Sequence, residues 1–132
     1  MKTVLYASVC FAILGTSQGC NPFEPDQSVI LDVSRLEVPA TIAPANSFGA
    51  VLTVTLGGCL SFDRIDVVRS ASDANVTVWG RDAAKGRSDV ICPQNIISET
   101  HSLQFNPPFA NTFTITVNQG RVPPLVATVN VQ

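Results

Sequence analysis

The alternation of apolar and polar residues at every second position limits the folds open to this chain. It is clearest at residues 112–118, where Phe113, Ile115 and Val117 alternate with threonines. Successive side chains of a strand point to opposite faces of a sheet, so this segment has one buried and one wet face. The same alternation recurs from Val29 onward between clusters of Gly, Pro, Asn and Asp. The chain is therefore predicted to be all-β, with antiparallel sheets.

Turn-forming clusters divide this region into seven predicted strands. They are residues 29–38, 48–57, 62–69, 76–80, 100–105, 112–118 and 125–131. Seven short strands in roughly a hundred residues resemble an immunoglobulin-like or fibronectin-III-like sandwich. A small β-barrel is the alternative.

The charge balance and the histidine content exclude several functional classes. Lys and Arg together number 8 against 10 Asp and Glu, and only 14% of the 132 residues are charged. Nucleic-acid binding relies on clustered positive charge, so a nucleic acid is a poor partner. The single histidine, His101, has no second imidazole or cysteine cluster near it in sequence and is predicted to be an ordinary surface or edge histidine. We therefore predict a protein that is not an enzyme and that uses no metal and no cofactor.

The first residues have the pattern of an export signal. Met1 and Lys2 provide a short positive segment, and residues 4–14 form an uncharged apolar run that is too short to cross a bilayer. Residues 1–19 are therefore predicted to be a signal peptide. Residues 20–28 contain two prolines and no periodicity, which indicates a short stiff tether before a domain at residues 29–132.

The end of this segment, Gly19, Cys20, Asn21 and Pro22, resembles the signal of bacterial lipoproteins. In that family a small residue precedes a cysteine that receives lipid on its sulfur and becomes the new N-terminus. The resemblance implies membrane anchoring through Cys20, and Asn21 rather than Asp after it favours the outer membrane or the cell surface. The alternative is an ordinary secretory signal, which would give a soluble secreted or periplasmic protein.

The cysteine count leads to a predicted disulfide. If Cys10 leaves with the signal peptide and Cys20 carries lipid, Cys59 and Cys92 remain in the exported protein. Cysteines pair in oxidising compartments, so these two are predicted to form a structural disulfide. A redox-active pair is the alternative, although the sequence contains no Cys-x-x-Cys motif.

Four short motifs lie within residues 48–118: GGC at 57–59, FDRI at 62–65, VWG at 78–80 and IC at 91–92. Their arrangement is similar to that of small bacterial lipoproteins with an immunoglobulin-like domain. The resemblance implies export and a β-sandwich, and it implies no catalytic residue.

A charged segment supplies the predicted contact residues. Residues 80–89 carry five charges and two glycines, which indicates a solvated loop. Arg81, Lys85 and Arg87 beside Trp79 are predicted to contact a partner, because Arg and Trp are enriched at binding hot spots. The alternative is a soluble loop with Trp79 in the core.

These features predict a non-enzymatic, membrane-anchored lipoprotein that acts as an interaction or structural module in the cell envelope. Its partner would be the membrane, through Cys20, together with an envelope or secreted protein. The alternative is a secreted inhibitor or accessory subunit of an extracytoplasmic enzyme.

Overall fold

A computed structural model describes residues 27–132, which form nine strands and no helix. The predicted signal peptide, Cys20 and the first part of the tether lie outside the described residues. Within the described range no helix is long and apolar enough to cross a membrane. The strands are β1 (Ser28–Ile30), β2 (Val33–Glu37), β3 (Thr41–Ile42), β4 (Phe48–Gly57), β5 (Leu60–Arg69), β6 (Asp73–Asp82), β7 (Ile96–Phe105), β8 (Thr112–Asn118) and β9 (Leu125–Val131).

The strands form two sheets. The smaller sheet has the order β2-β4-β7, and the larger has the order β1-β6-β8-β9-β3, with β5 on the other edge of β6. Strands β1 and β8 share one edge of β6, since Ile30 pairs with Trp79 and Asn118 pairs with Thr77. The sheets do not close into a barrel, so the barrel alternative is wrong, and two sheets around one core are consistent with a sandwich.

The core lies between the sheets and follows the alternation in the sequence. In β4 every second residue from Phe48 to Leu56 is buried, and the intervening residues are at least partly accessible. Each of the larger side chains, such as Leu52 and Val54, contributes about 1.5–3 kcal/mol when fully buried. The larger sheet supplies the facing residues, which are Ala74, Val76, Val78, Phe113, Ile115, Val117, Val129 and Val131.

The predicted strand 29–38 is wrong as a single element, because the chain changes sheet in its middle. The backbone N–H of Leu31 donates to Val78 in the larger sheet, at 2.9 Å. The next carbonyl, that of Asp32, accepts from the N–H of Thr55 in the smaller sheet, at 3.2 Å. The segment is therefore divided into β1 and β2, and together with the short β3 this raises the strand count from seven to nine.

The prediction of purely antiparallel sheets is also wrong. Strands β6 and β8 pair in parallel, as do β3 and β9. The reason is the connection from β6 to β8, which passes through β7 of the smaller sheet. The chain then re-enters the larger sheet running in the direction of β6.

The predicted disulfide between Cys59 and Cys92 is confirmed, with a Cα–Cα distance of 5.0 Å. It joins the turn between β4 and β5 to the segment that precedes β7. Gly58, in this turn, has a φ of +62°, a backbone conformation that glycine adopts without steric cost. We call this end of the molecule the disulfide end. Phe48 and Phe113 meet at the opposite end, with ring centres 5.9 Å apart.

Candidate functional site

A cleft of about 400 Å³ lies at the disulfide end, where the chain crosses between the sheets. Clefts that bind small groups or side chains commonly have volumes of about 300–1,000 Å³, so this one is large enough to bind a ligand. Five consecutive residues of one wall come from β1 and the two positions after it. The lining residues are Ser28, Val29, Ile30, Leu31, Asp32, Thr55, Leu60, Trp79, Asp82, Lys85, Gly120 and Arg121.

Gly80 allows β1 to approach β6 closely and so shapes this wall. A Cβ at position 80 would lie 2.6 Å from Leu31 Cδ2 and 2.6 Å from the backbone oxygen of Ser61. Heavy atoms do not approach that closely, so only glycine fits without moving Leu31 or β5. Gly80 is buried and does not line the cleft, but the position of the wall formed by β1 depends on it.

The polar groups of the cleft divide into satisfied and unsatisfied ones. Asp82 Oδ1 accepts from the N–H of Ala84 at 3.0 Å, and Lys85 Nζ donates to the carbonyl oxygen of Ser28 at 2.8 Å. Asp32 Oδ1, in contrast, is buried and has no hydrogen-bond partner among the described residues.

Arg121 is exposed at the cleft, and within residues 27–132 its side chain makes no hydrogen bond or ion pair. Buried polar atoms are nearly always hydrogen-bonded, so an unpaired carboxylate oxygen is unusual. The cleft therefore contains an acceptor, Asp32 Oδ1, that has no donor, and a cation, Arg121, that has no anionic partner among the described residues.

The four predicted contact residues separate into two groups. Trp79 and Lys85 line the cleft, whereas Arg81 and Arg87 do not. Arg81 Nε lies 3.7 Å from Asp63 Oδ1, and Arg87 pairs with the carboxylate of Asp89. The structure thus brings together two of the four, and it adds Asp32 and Arg121, which sequence analysis did not identify.

Trp79 is not a core residue, so that alternative is wrong. Its neighbours Val78 and Gly80 are buried, and a strand alternates its faces, so Trp79 lies on the outward face of the larger sheet. The guanidinium carbon of Arg64 lies 5.2 Å from the ring centre of Trp79. This cation–π contact holds the half-buried ring at the edge of the cleft.

The predicted loop at residues 80–89 is partly a strand. Residues 80–82 complete β6, and backbone hydrogen bonds from Lys85 to Asp82 and from Arg87 to Ala84 form the turn that follows. Hydrogen bonding by Arg87 is the main cause that lowers the pKa of the exposed Asp89 carboxyl. The segment is therefore solvated, as predicted, and its backbone is also ordered by hydrogen bonds within the turn.

His101 lies on the edge strand β7, away from the cleft. Its ring stacks on Phe62 with centres 4.0 Å apart, and its Nε2 is 3.5 Å from Glu99 Oε2 without forming a hydrogen bond. The part of the chain that the structure describes contains no group of three or more His, Cys, Asp or Glu side chains that could hold a metal.

No family model, curated protein or solved structure matches this chain. The function is therefore inferred from the side chains that line the cleft and from how near Ser28, in its wall, is to Cys20 in the sequence.

Proposed function

We propose that the protein is a non-enzymatic, lipid-anchored interaction module of the bacterial cell envelope, and that it binds a partner protein in the cleft beside Trp79. The observation that carries this proposal is the unmatched pair of groups in the cleft, the buried Asp32 oxygen and the Arg121 guanidinium. A partner segment that carries a hydrogen-bond donor and a carboxylate satisfies both. The aromatic face of Trp79 adds apolar contact area of the kind found at binding hot spots.

The proposed anchor is close to the cleft in sequence. Ser28, which lines the cleft, is eight positions after Cys20. An extended chain spans at most about 3.3–3.6 Å per residue, so the cleft stands no more than about 29 Å from a lipid-modified Cys20. Acyl chains bind membranes with about 0.8 kcal/mol per buried methylene, and two or more chains give stable anchoring. A module of this kind holds its partner near the membrane surface.

A second candidate is an inhibitor or accessory subunit that contacts a secreted enzyme through the segment after β6. The observation that favours it is the set of restraints on that segment, namely the Cys59–Cys92 bond and the hydrogen bond from Ala83 N–H to the Cys59 carbonyl, at 3.2 Å. A loop that is already ordered loses less conformational entropy when it binds. In this case Arg87, rather than Arg121, would contact the partner.

Site-specific photo-crosslinking in cells distinguishes the two candidates. A photoreactive amino acid is placed in the full chain at position 121 in the cleft, at 87 in the turn, or, as a control, at 128, an exposed position of β9 outside the cleft lining. The proposal expects a discrete protein adduct from position 121. It also expects Asp32→Ala to remove this adduct and the control Glu37→Ala, on an exposed carboxylate outside the cleft lining, to leave it unchanged.

An adduct from position 87 alone would support the second candidate. The cleft proposal is contradicted if position 121 gives no adduct, if position 128 gives the same adduct, or if Asp32→Ala has no effect.

The anchor is tested by the intact mass of the protein recovered from membranes. Lipidation predicts the mass of the chain from Cys20 onward plus acyl groups, and reduction adds the mass of two hydrogen atoms for the Cys59–Cys92 bond. Cys20→Ser should move the protein to the soluble fraction. An unmodified protein that is soluble without this substitution would overturn the anchoring proposal.

A further inference from the structure

Within the described residues five strands pair on one side only, and four of them, including the three-residue β1, carry features that discourage further pairing. Strand β3 is two residues long, and the pairing of β2 with β4 shifts register after Val33. The pairing of β5 with β6 shifts register between Phe62 and Arg64, and Asp63 at this bulge contacts Arg64 and Arg81. Short strands, bulges and charges are the usual protection of exposed edges against association.

The fifth of these strands, β7, has no bulge and is long. Its ten residues pair with β4 without a register shift from the Phe48–Phe105 pair to the Gly57–Ile96 pair. Within residues 27–132 no strand pairs with its other side. Ile96 and Ile97 are 74% and 48% exposed. The strand contains neither proline nor lysine, so its outer backbone groups are available to another strand.

We propose that β7 pairs with β7 of a second copy of this chain, antiparallel and about a two-fold axis at Thr100. In this register Thr100 lies opposite Thr100 of the second copy, and Glu99 lies opposite His101 of the second copy. Ile97 then faces Leu103 of the second copy, so the apolar ends of the strand also meet. Each three-stranded sheet continues into that of the other copy, and this interface is separate from the cleft.

Charge complementarity selects this register over its neighbours. Residues that lie directly opposite in an antiparallel pair have Cβ atoms about 4.5–5.5 Å apart, and like charges there are destabilising. An axis at Glu99 would place the two Glu99 side chains against each other, and an axis at His101 would place the two imidazoles together. Only the axis at Thr100 places each Glu99 opposite a His101.

The state of His101 in the single chain agrees with this arrangement. Glu99 and His101 alternate with exposed residues along β7 and lie on its inward face. The Nε2 atom of His101 is buried and makes no hydrogen bond within the described residues. Glu99 of its own chain lies 3.5 Å away without forming a hydrogen bond, and Glu99 of the second copy brings a second carboxylate beside the imidazole.

Cysteine cross-linking tests both the pairing and its register. In the full chain with Cys10→Ser and Cys20→Ser, a single added cysteine is the only thiol outside the Cys59–Cys92 bond. Thr100→Cys should form a covalent dimer on mild oxidation or with a short thiol cross-linker. Ser98→Cys alone should not, whereas Ser98→Cys mixed with Ser102→Cys should. Equal cross-linking of Thr100→Cys and Ser98→Cys, or none with either, would overturn the proposal.

A charge placed on the axis provides an independent measurement. Thr100→Lys sets two like charges opposite each other and should weaken dimerisation in analytical ultracentrifugation by about tenfold or more. Thr128→Lys is the matched control on an exposed strand position of the other sheet and should leave the dimer unchanged. Both side chains are exposed, so both variants should fold, which circular dichroism verifies. A wild-type protein that stays monomeric at every concentration, or a Thr100→Lys variant that dimerises like wild type, contradicts the proposal.

Discussion

The side-chain amide of Gln119 makes both backbone hydrogen bonds of Val33, although the two residues are 86 positions apart. The N–H of Val33 donates to Gln119 Oε1 at 2.7 Å, and Gln119 Nε2 donates to the carbonyl oxygen of Val33 at 2.9 Å. Val33 follows the point at which the chain leaves one sheet for the other. The amide of Gln119 therefore satisfies the backbone groups of Val33, as a neighbouring strand would in a sheet. It thereby holds the segment where the chain crosses between the sheets and forms one wall of the cleft.

Replacement of this amide should be costly. Gln119→Ala leaves a partly buried donor and acceptor of Val33 without partners, and we expect it to lower the free energy of unfolding by about 1–3 kcal/mol. Urea denaturation measures the change. Gln94→Ala, at an exposed loop position, is the control and should change stability by no more than about 0.5 kcal/mol. Equal effects of the two variants would mean that the Gln119 bonds contribute nothing to stability.

Gly80 should not tolerate a methyl group. Gly80→Ala drives a Cβ to within 2.6 Å of Leu31 and of the Ser61 carbonyl, and we expect a loss of roughly 1–3 kcal/mol from this overpacking. Hydrogen exchange should show reduced protection of the Leu31 N–H, which bonds to Val78. Gly49→Ala is the control, because the nearest atom to its added Cβ is 3.9 Å away. If Gly80→Ala is as stable as Gly49→Ala, the close approach of β1 is not required.

The Cys59–Cys92 bond should be a large part of the stability of this small protein. Its cysteines are 33 positions apart, and the chain-entropy model gives a contribution of about 3–4 kcal/mol for a loop of this length. The double variant Cys59→Ala with Cys92→Ala should lose that amount in denaturant unfolding. Reductant should lower the wild type to a similar value and leave the double variant unaffected. A reductant-insensitive wild type would contradict this prediction.

The Asp89 carboxyl should titrate below the ordinary aspartate range, because hydrogen bonds from Arg87 favour its charged form. A folded-state pKa below the unfolded value means that the interaction is fully present above the unfolded pKa. It is lost as the pH falls through the folded value. Two-dimensional NMR of the carboxyl carbons measures this pKa. Arg87→Gln should raise it towards the usual value, and so should high salt, since the pair is exposed. An unchanged pKa in Arg87→Gln would refute the assignment of its cause.

Strands β4, β8 and β9 were predicted with correct bounds, whereas β6, predicted as residues 76–80, extends from Asp73 to Asp82. Strands β4, β8 and β9 alternate cleanly because one sheet face packs on the core and the other meets solvent. The division between β1 and β2 has no such signal, since Leu31 and Asp32 continue the alternation while the hydrogen-bond partners change. Parallel pairing of β6 with β8 was equally hidden, because side-chain alternation does not record strand direction.

The site was predicted less completely than the fold. Trp79 and Lys85, which line the cleft, were singled out in the sequence because Arg, Lys and Trp near a turn are typical of binding surfaces, and their role in binding stays a prediction. Asp32 and Arg121 have no local pattern that marks them, and they contribute to the cleft only because β1 and the turn after β8 meet at the disulfide end. Contacts between distant segments depend on the order of the strands in the sheets. The alternation of apolar and polar residues in one sequence does not specify that order.

The brevity of β1 has a mechanical consequence. Three residue pairs hold this strand to β6, and the N–H of Asp82 also donates to the carbonyl oxygen of Gln27, the first described residue, at 2.9 Å. A force that peels this segment away from β6 breaks the Gln27 contact first and then the pairs of Ser28, Val29 and Ile30 in turn. The same residues form one wall of the cleft. Peeling of this segment therefore opens one wall of the cleft before it disturbs the long strands of the core.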